Sequence, residues 1–194
     1  MNSLEKKELK DMIYNYKSWL SLILGIISPT LLHLRKVEPF PYIYISVIIM
    51  CLCQYIYDSY LTDTKNKGNI FIYNTGVSST KILFTKILVV LVFEIIMLLL
   101  NLPYTIKYIN FVDYFWIFPL TATCVTFMYF TAMFSQSSET TSVILTFIVI
   151  FAYTFLLWNM DFIILKIGIS LASAILMSFI AIKTADSLIY RQQL

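Results

Sequence analysis

Long apolar runs, separated only by short polar stretches, decide what this chain can become. Six runs stand out: Ser18–Leu34, Tyr42–Tyr57, Leu83–Leu102, Tyr114–Phe134, Ser142–Trp158 and Phe162–Ile182. A helix needs about 20 mostly apolar residues to cross the ~30 Å hydrocarbon layer of a bilayer, with about 17 as the lower limit. The second and fifth runs are short, and flanking Tyr and Trp extend them to the headgroups. Backbone N–H and C=O groups in lipid must be satisfied within the segment, which restricts a spanning element to a helix or a closed barrel. The runs are apolar on every side and do not alternate, so the barrel is excluded. Composition agrees: 59% of residues are hydrophobic and 13% are charged, against about 25% charged in soluble domains. The expected fold is therefore an all-α membrane protein of six transmembrane helices.

Orientation follows from Lys and Arg, which accumulate on the cytoplasmic side. With both termini on one side, that side holds ten basic residues: Lys6, Lys7, Lys10, Lys17, Lys65, Lys67, Lys81, Lys86, Lys183 and Arg191. The other holds four, Arg35, Lys36, Lys107 and Lys166. The expectation is a multi-pass protein of the cell membrane with both termini cytoplasmic. Residues 1–17 read as a separate unit. Leu9, Met12, Ile13, Tyr16 and Leu20 recur at helical spacing among Glu5, Lys6, Glu8, Lys10, Asp11 and Lys17, the pattern of an amphipathic helix lying in the membrane interface. This charged start carries no secretory-signal pattern. Residues 18–183 form the transmembrane domain, and 184–194 a cytoplasmic tail.

The longest cytoplasmic connection, 58–82, runs from a polar stretch to Gly68, through the apolar patch Ile70-Phe71-Ile72-Tyr73, to a turn at Asn74-Thr75-Gly76. Val77-Ser78-Ser79 can cap the next helix, and Lys81 and Lys86 mark its cytoplasmic end. A short cytoplasmic helix carrying apolar residues is expected here, suited to docking a partner.

The order of these residues resembles the membrane subunit of ABC-2-type ABC transporters. Those proteins carry an acidic run, Gly-Thr, several Leu, Thr-Pro-Val-Ser and a Lys at the mouth of the third span. The matching residues are Gly68, Asn69, Ile70, Thr75, Gly76, Val77, Ser78 and Lys86, with Gly76 standing where the family has Pro. The interfacial helix before the first span, Pro29 within it, and the Ser/Thr-rich turn 135–141 agree with that family. The loop Asn159-Met160-Asp161 is too short for the outer re-entrant helices many members carry. The resemblance implies an exporter subunit forming the path for a hydrophobic or amphipathic cargo such as a peptide, toxin or lipid. It implies two partners: a cytoplasmic nucleotide-binding ATPase, and a second membrane subunit, identical or homologous. The ATPase would act on Asp63, Lys65, Lys67, Gly68, Ile70, Phe71, Tyr73 and Gly76, with 135–141 as a further contact.

The chain itself has no G-x-x-x-x-G-K-[ST] phosphate loop, and its four glycines are isolated. It is not expected to be an enzyme or to hold a cofactor or metal, and a net charge of +3 gives no sign of nucleic-acid binding. Glu94, in the third span, is the chief intramembrane ionisable residue; such groups face protein or water. It is a candidate for the translocation path together with Gln54 and Thr126, or a structural group bonded to Gln54 or a Thr of the fourth span. His33 reads as interfacial, Lys166 as snorkelling to the outer surface, and Thr121, Thr123, Cys124, Thr126 and Thr131 as helix-packing residues. A cysteine membrane peptidase is disfavoured, because Cys51 and Cys53 fall at a different depth from His33 and Cys124 has no evident base. The remaining rivals are a substrate-binding subunit of an ECF-type uptake transporter and a non-pumping membrane immunity protein. The orientation is directly testable: a reporter fused after Leu194, and a cysteine label placed at Lys67, should both report from the cytoplasmic side in intact cells. Labelling of Lys67→Cys by an impermeant reagent from outside would reverse the topology.

Overall fold

The computed structural model describes residues 3–14, 23, 27, 41–65, 77–101, 107, 109–134 and 139–192. Among these residues every regular element is helical. The elements are α1 (Ser3–Tyr14), α2 (Pro41–Lys65), α3 (Ser79–Leu100), a 3-10 turn at Phe111–Asp113, α4 (Tyr114–Phe134), α5 (Glu139–Trp158) and α6 (Ile163–Gln192). Four stretches are long and apolar enough to cross a membrane: Pro41–Leu61, Ser79–Leu100, Phe111–Met133 and Ile163–Ser187. A fifth, Val143–Trp158, is apolar but shorter. The expected first span, Ser18–Leu34, lies outside the described residues apart from Ile23 and Ile27. Among the described residues the protein is thus all-helical and membrane-embedded, with four helices long enough to span.

Helix α4 is the hub. It packs on α2, α3, α5 and α6, and α3 in turn contacts α2 and α6, while α2 contacts α5. The helices therefore ring α4 in the order α6–α3–α2–α5. At the α5–α6 seam no comparable packing occurs among the described residues, although only a tight turn joins the two helices. That turn is closed by Asn159 N–H to the Phe155 carbonyl at 3.1 Å and Met160 N–H to the Leu157 carbonyl at 3.3 Å.

Burial follows this arrangement. Ile45, Ile48, Ile49, Leu52 and Ile56 of α2 and Ile117, Leu120, Val125 and Met128 of α4 are buried. The outward sides of α3, α5 and α6 expose Leu88, Val92 and Leu99, Ile148 and Phe155, and Ile164, Ile175 and Phe179. Ile164 is 82% exposed and Ile175 71%. A surface this apolar is far beyond the few-hundred-Å² patches of soluble monomers and belongs in hydrocarbon. Successive helices α2 to α6 run antiparallel, so the bundle has two ends. One carries α1 and the 66–78 connection (the connection face), and the other carries the α5–α6 turn (the turn face).

Three boundaries differ from the sequence reading. Helix α2 does not stop at Tyr57 but continues to Lys65, because Asp58 and Ser59 are buried and bonded rather than solvated. Helix α3 begins at Ser79, capped by the Ser78 hydroxyl accepting from Lys81 N–H at 3.3 Å. The connection therefore shrinks from 58–82 to 66–78, and the short apolar helix expected at Ile70–Tyr73 lies outside the described residues. Helix α6 runs on to Gln192, absorbing most of the expected tail. Within α4, Pro119 cannot donate to the backbone ladder, yet its own carbonyl accepts from the Thr123 hydroxyl at 2.9 Å.

Trp116, fully buried on the hub helix, is where packing loss should be felt most. Trp116→Ala should cost about 3–5 kcal/mol of stability, read by chemical unfolding in detergent, whereas Ile175→Ala on the lipid side should change it by less than about 0.5 kcal/mol.

Candidate functional site: buried polar groups around the hub helix

Hydrocarbon offers no hydrogen bonds, so each polar side chain inside the bundle must find its partner there. The partners fall in three groups along α4. Near the turn face, both carboxylate oxygens of Asp113 are engaged: Oδ2 accepts from Asn110 N–H at 3.0 Å and Oδ1 from Trp116 Nε1–H at 2.9 Å. This fixes the Trp116 ring at the entry to α4. Lys166 of α6 then places its ammonium 5.5 Å from the Trp116 ring centre and 5.7 Å from that of Trp158, and donates to the Trp158 carbonyl at 3.2 Å. Lys166 is buried. It does not snorkel outward as the sequence led us to expect, because two aromatic faces and a carbonyl satisfy it inside the protein; a desolvated cation–π contact contributes about 2 kcal/mol. One lysine thereby joins α4, α5 and α6.

At mid-depth, Glu94 of α3 accepts from the Thr121 hydroxyl of α4 at 2.6 Å. Glu94 is 1% exposed, and its Oε2 has no hydrogen-bond partner among the described residues. On the opposite side of α4, Thr123, Ser173 of α6 and Tyr153 of α5 form a hydroxyl chain, with Thr123–Ser173 at 3.1 Å and Tyr153–Ser173 at 2.7 Å. That chain spans the otherwise thinly packed α5–α6 seam. Further along, Thr131 and Thr146 approach to 3.4 Å across α4 and α5.

Towards the connection face, the buried Lys86 ammonium donates to Ser59 Oγ at 2.6 Å, linking α3 to α2. Gln54 donates to Asp58 Oδ1 at 3.2 Å one turn along α2. The Ser79 hydroxyl donates to Asp186 Oδ1 at 2.6 Å, linking α3 to α6. The base of α3 is thus tied to two neighbours.

The sequence-derived site residues distribute as follows. Glu94 is buried and bonded to a threonine of α4, one of the two partner types expected. Gln54 is not that partner, since its amide reaches Asp58. Thr126 is buried and donates to the Ala122 carbonyl of its own helix at 2.7 Å. Of the expected ATPase-coupling residues, Asp63 and Lys65 lie in the last turns of α2, while Lys67, Gly68, Ile70, Phe71, Tyr73 and Gly76 lie outside the described residues, as does His33. Of the threonines of α4, Thr121, Thr123 and Thr131 reach side chains of neighbouring helices. Sequence reasoning missed Asp113, Trp116, Trp158, Tyr153, Ser173 and Asp186. Only the Asp113–Trp116 pair, three residues apart at a helix start, had a local signal; the others meet across helices.

Among the described residues, no group of His, Cys, Asp or Glu could hold a metal ion. No protein-family profile, curated protein or solved structure matches this chain. Chemically, the mid-depth layer offers one carboxyl oxygen able to accept from a donor such as a proton, an ammonium or an amide.

The Glu94–Thr121 bond is open to a double-mutant cycle. Thr121→Val should cost about 1–3 kcal/mol, because a buried carboxyl then loses its donor, while Thr121→Val combined with Glu94→Leu should recover most of that loss. Additive losses in unfolding experiments would show that the two groups are not coupled.

Proposed function

We propose that this protein is the transmembrane subunit of an ATP-binding cassette exporter of the cell membrane, with both termini in the cytoplasm. A separate ATPase subunit drives it, and it pairs with a second membrane subunit. The observation that carries the reading is the residue order across 63–86, ending at Lys86. This chain has no phosphate loop of its own, so a pump built on it takes ATP energy from a partner. Local geometry supports the same reading. The connection-face loop enters α3 at Ser79, and α3 is bonded to α6 through Asp186 and to α2 through Ser59. Leu4 of α1 packs on Ile82 beside the same junction. A push on residues 66–76 would therefore reach three helices through bonds rather than through slack chain. The spans would rock between inward-open and outward-open states whose balance ATP shifts.

Glu94 serves on the path, where its Oε2 meets a hydrophobic or amphipathic cargo at mid-membrane depth. Mild purification of the full chain from its own cells should bring down an ATP-hydrolysing subunit in stoichiometric amount. Ile70→Ser with Phe71→Ser should reduce that recovery about tenfold or more, as loss of an apolar anchor does, without changing unfolding of the membrane domain. Glu94→Gln should leave the recovery intact and impair export. Purification free of any ATPase would end the exporter reading, and normal export by Glu94→Gln would remove Glu94 from the path.

A further inference from the structure

Helix α1 packs on the bundle through Leu4, which is 7% exposed and sits against Ile82 and Val77. Its other side is open. Lys6, Lys10, Ile13 and Tyr14 are all exposed, and helical stepping places them within an arc of about 100°. The Lys10 ammonium lies 5.8 Å from the Tyr14 ring centre, a basic group resting on an exposed aromatic. Two more exposed lysines stand at the same end of the bundle. Lys81 is in the first turn of α3, next to the Ile82 that holds α1. Lys183 is one turn before Asp186, whose carboxylate reaches Ser79 in that same first turn. Lys183 also lies over the exposed Phe179 ring at 4.7 Å. The connection-face end of the bundle, where α3 joins α1 through Ile82 and α6 through Ser79, therefore carries four exposed ammonium groups, with exposed Ile13, Tyr14, Phe84 and Phe179 on the same helices. Asp186 is exposed at the same end and accepts from Ser79 through Oδ1, one described carboxylate against four lysines.

We propose that this junction binds anionic phospholipid headgroups of the leaflet at the connection face. Lysines supply the charge complement to the phosphodiester, and the neighbouring aromatic and aliphatic side chains rest among the upper acyl chains. Neutral headgroups gain only the apolar part. Identifying that leaflet as the cytoplasmic one rests on the orientation proposed above; the binding itself does not.

The test uses the full chain in bilayers of phosphatidylcholine with a minority of phosphatidylglycerol, comparing how strongly spin-labelled phosphatidylglycerol and spin-labelled phosphatidylcholine are immobilised by the protein. Wild type should select the anionic lipid by about threefold or more, since each lysine near a charged surface contributes severalfold, and raising salt should erode the selection. The combined variant Lys6→Gln, Lys10→Gln, Lys81→Gln, Lys183→Gln should fall close to parity. Lys10→Gln and Lys81→Gln singly should each lose part, which covers the case where the combined variant folds poorly. Lys107→Gln, in the turn-face connection between α3 and α4, should keep full selection. Parity in wild type, unchanged selection in the combined variant, or loss confined to the turn-face variant would each overturn the proposal. The measurement needs no cargo and no ATPase, so its outcome is separable from that of the exporter reading.

Discussion

A buried polar side chain in hydrocarbon has no water to fall back on, and the architecture around α4 is organised by that constraint. Thr121, Thr123, Thr126 and Thr131 all sit on α4, and each bonds either the backbone of its own helix or a side chain of a neighbour. Without a solvent-driven force between helices in lipid, association rests on close packing and on such bonds. A hub helix supplying hydroxyls in several directions is one way to hold α3, α5 and α6 in place. Two of the ionisable groups embedded in the bundle bond across helix boundaries: Glu94 through one oxygen to a hydroxyl, and Lys166 to aromatic faces and a carbonyl.

The consequence for function is a bundle cross-linked differently at its two ends. At the turn face, Lys166 binds α6 to α4 and α5. At the connection face, Lys86 and Ser79 bind α3 to α2 and α6. Between them lies a layer where the α5–α6 seam is bridged by Tyr153 and Ser173 rather than by extensive packing. The exporter proposed above would have to loosen one end while the other stays closed, and polar links of this sort are either made or broken. The anionic-lipid surface proposed at the α1–α3–α6 junction would place the charge of the leaflet beside the same ties that a coupling partner would pull.

Much of the fold was legible in the sequence. The run Tyr114–Phe134 coincides with α4, and the end at Trp158 is that of α5, because apolar content and length are enough to define a spanning helix. Boundaries at the connection face were less legible. Asp58 and Ser59 look like loop residues when read as polar letters, but Gln54 bonds one oxygen of Asp58, Lys86 bonds Ser59, and the backbone continues as helix to Lys65. Lys166 was misread for the same reason: a lysine near a helix end ordinarily reaches for water, and nothing in its own segment announces Trp116 some fifty positions earlier. Glu94 was recognisable as a buried ionisable group from its place in an apolar run, whereas the choice of Thr121 over Gln54 as its partner depends on which faces of α2 and α4 turn towards α3.

The sequence by itself determined that the apolar segments of this chain form helices suited to a membrane, because that follows from local apolar length and from the backbone's need for internal hydrogen bonds; of the six spans it suggested, four are long enough to cross among the described residues. Only the tertiary structure decided that α4 is the hub, that Lys166 turns inward between two tryptophans, and that exposed lysines from three separate helices stand at the same end of the bundle. Contacts between helices depend on the relative rotation and crossing of distant segments, and no local pattern of residues encodes these.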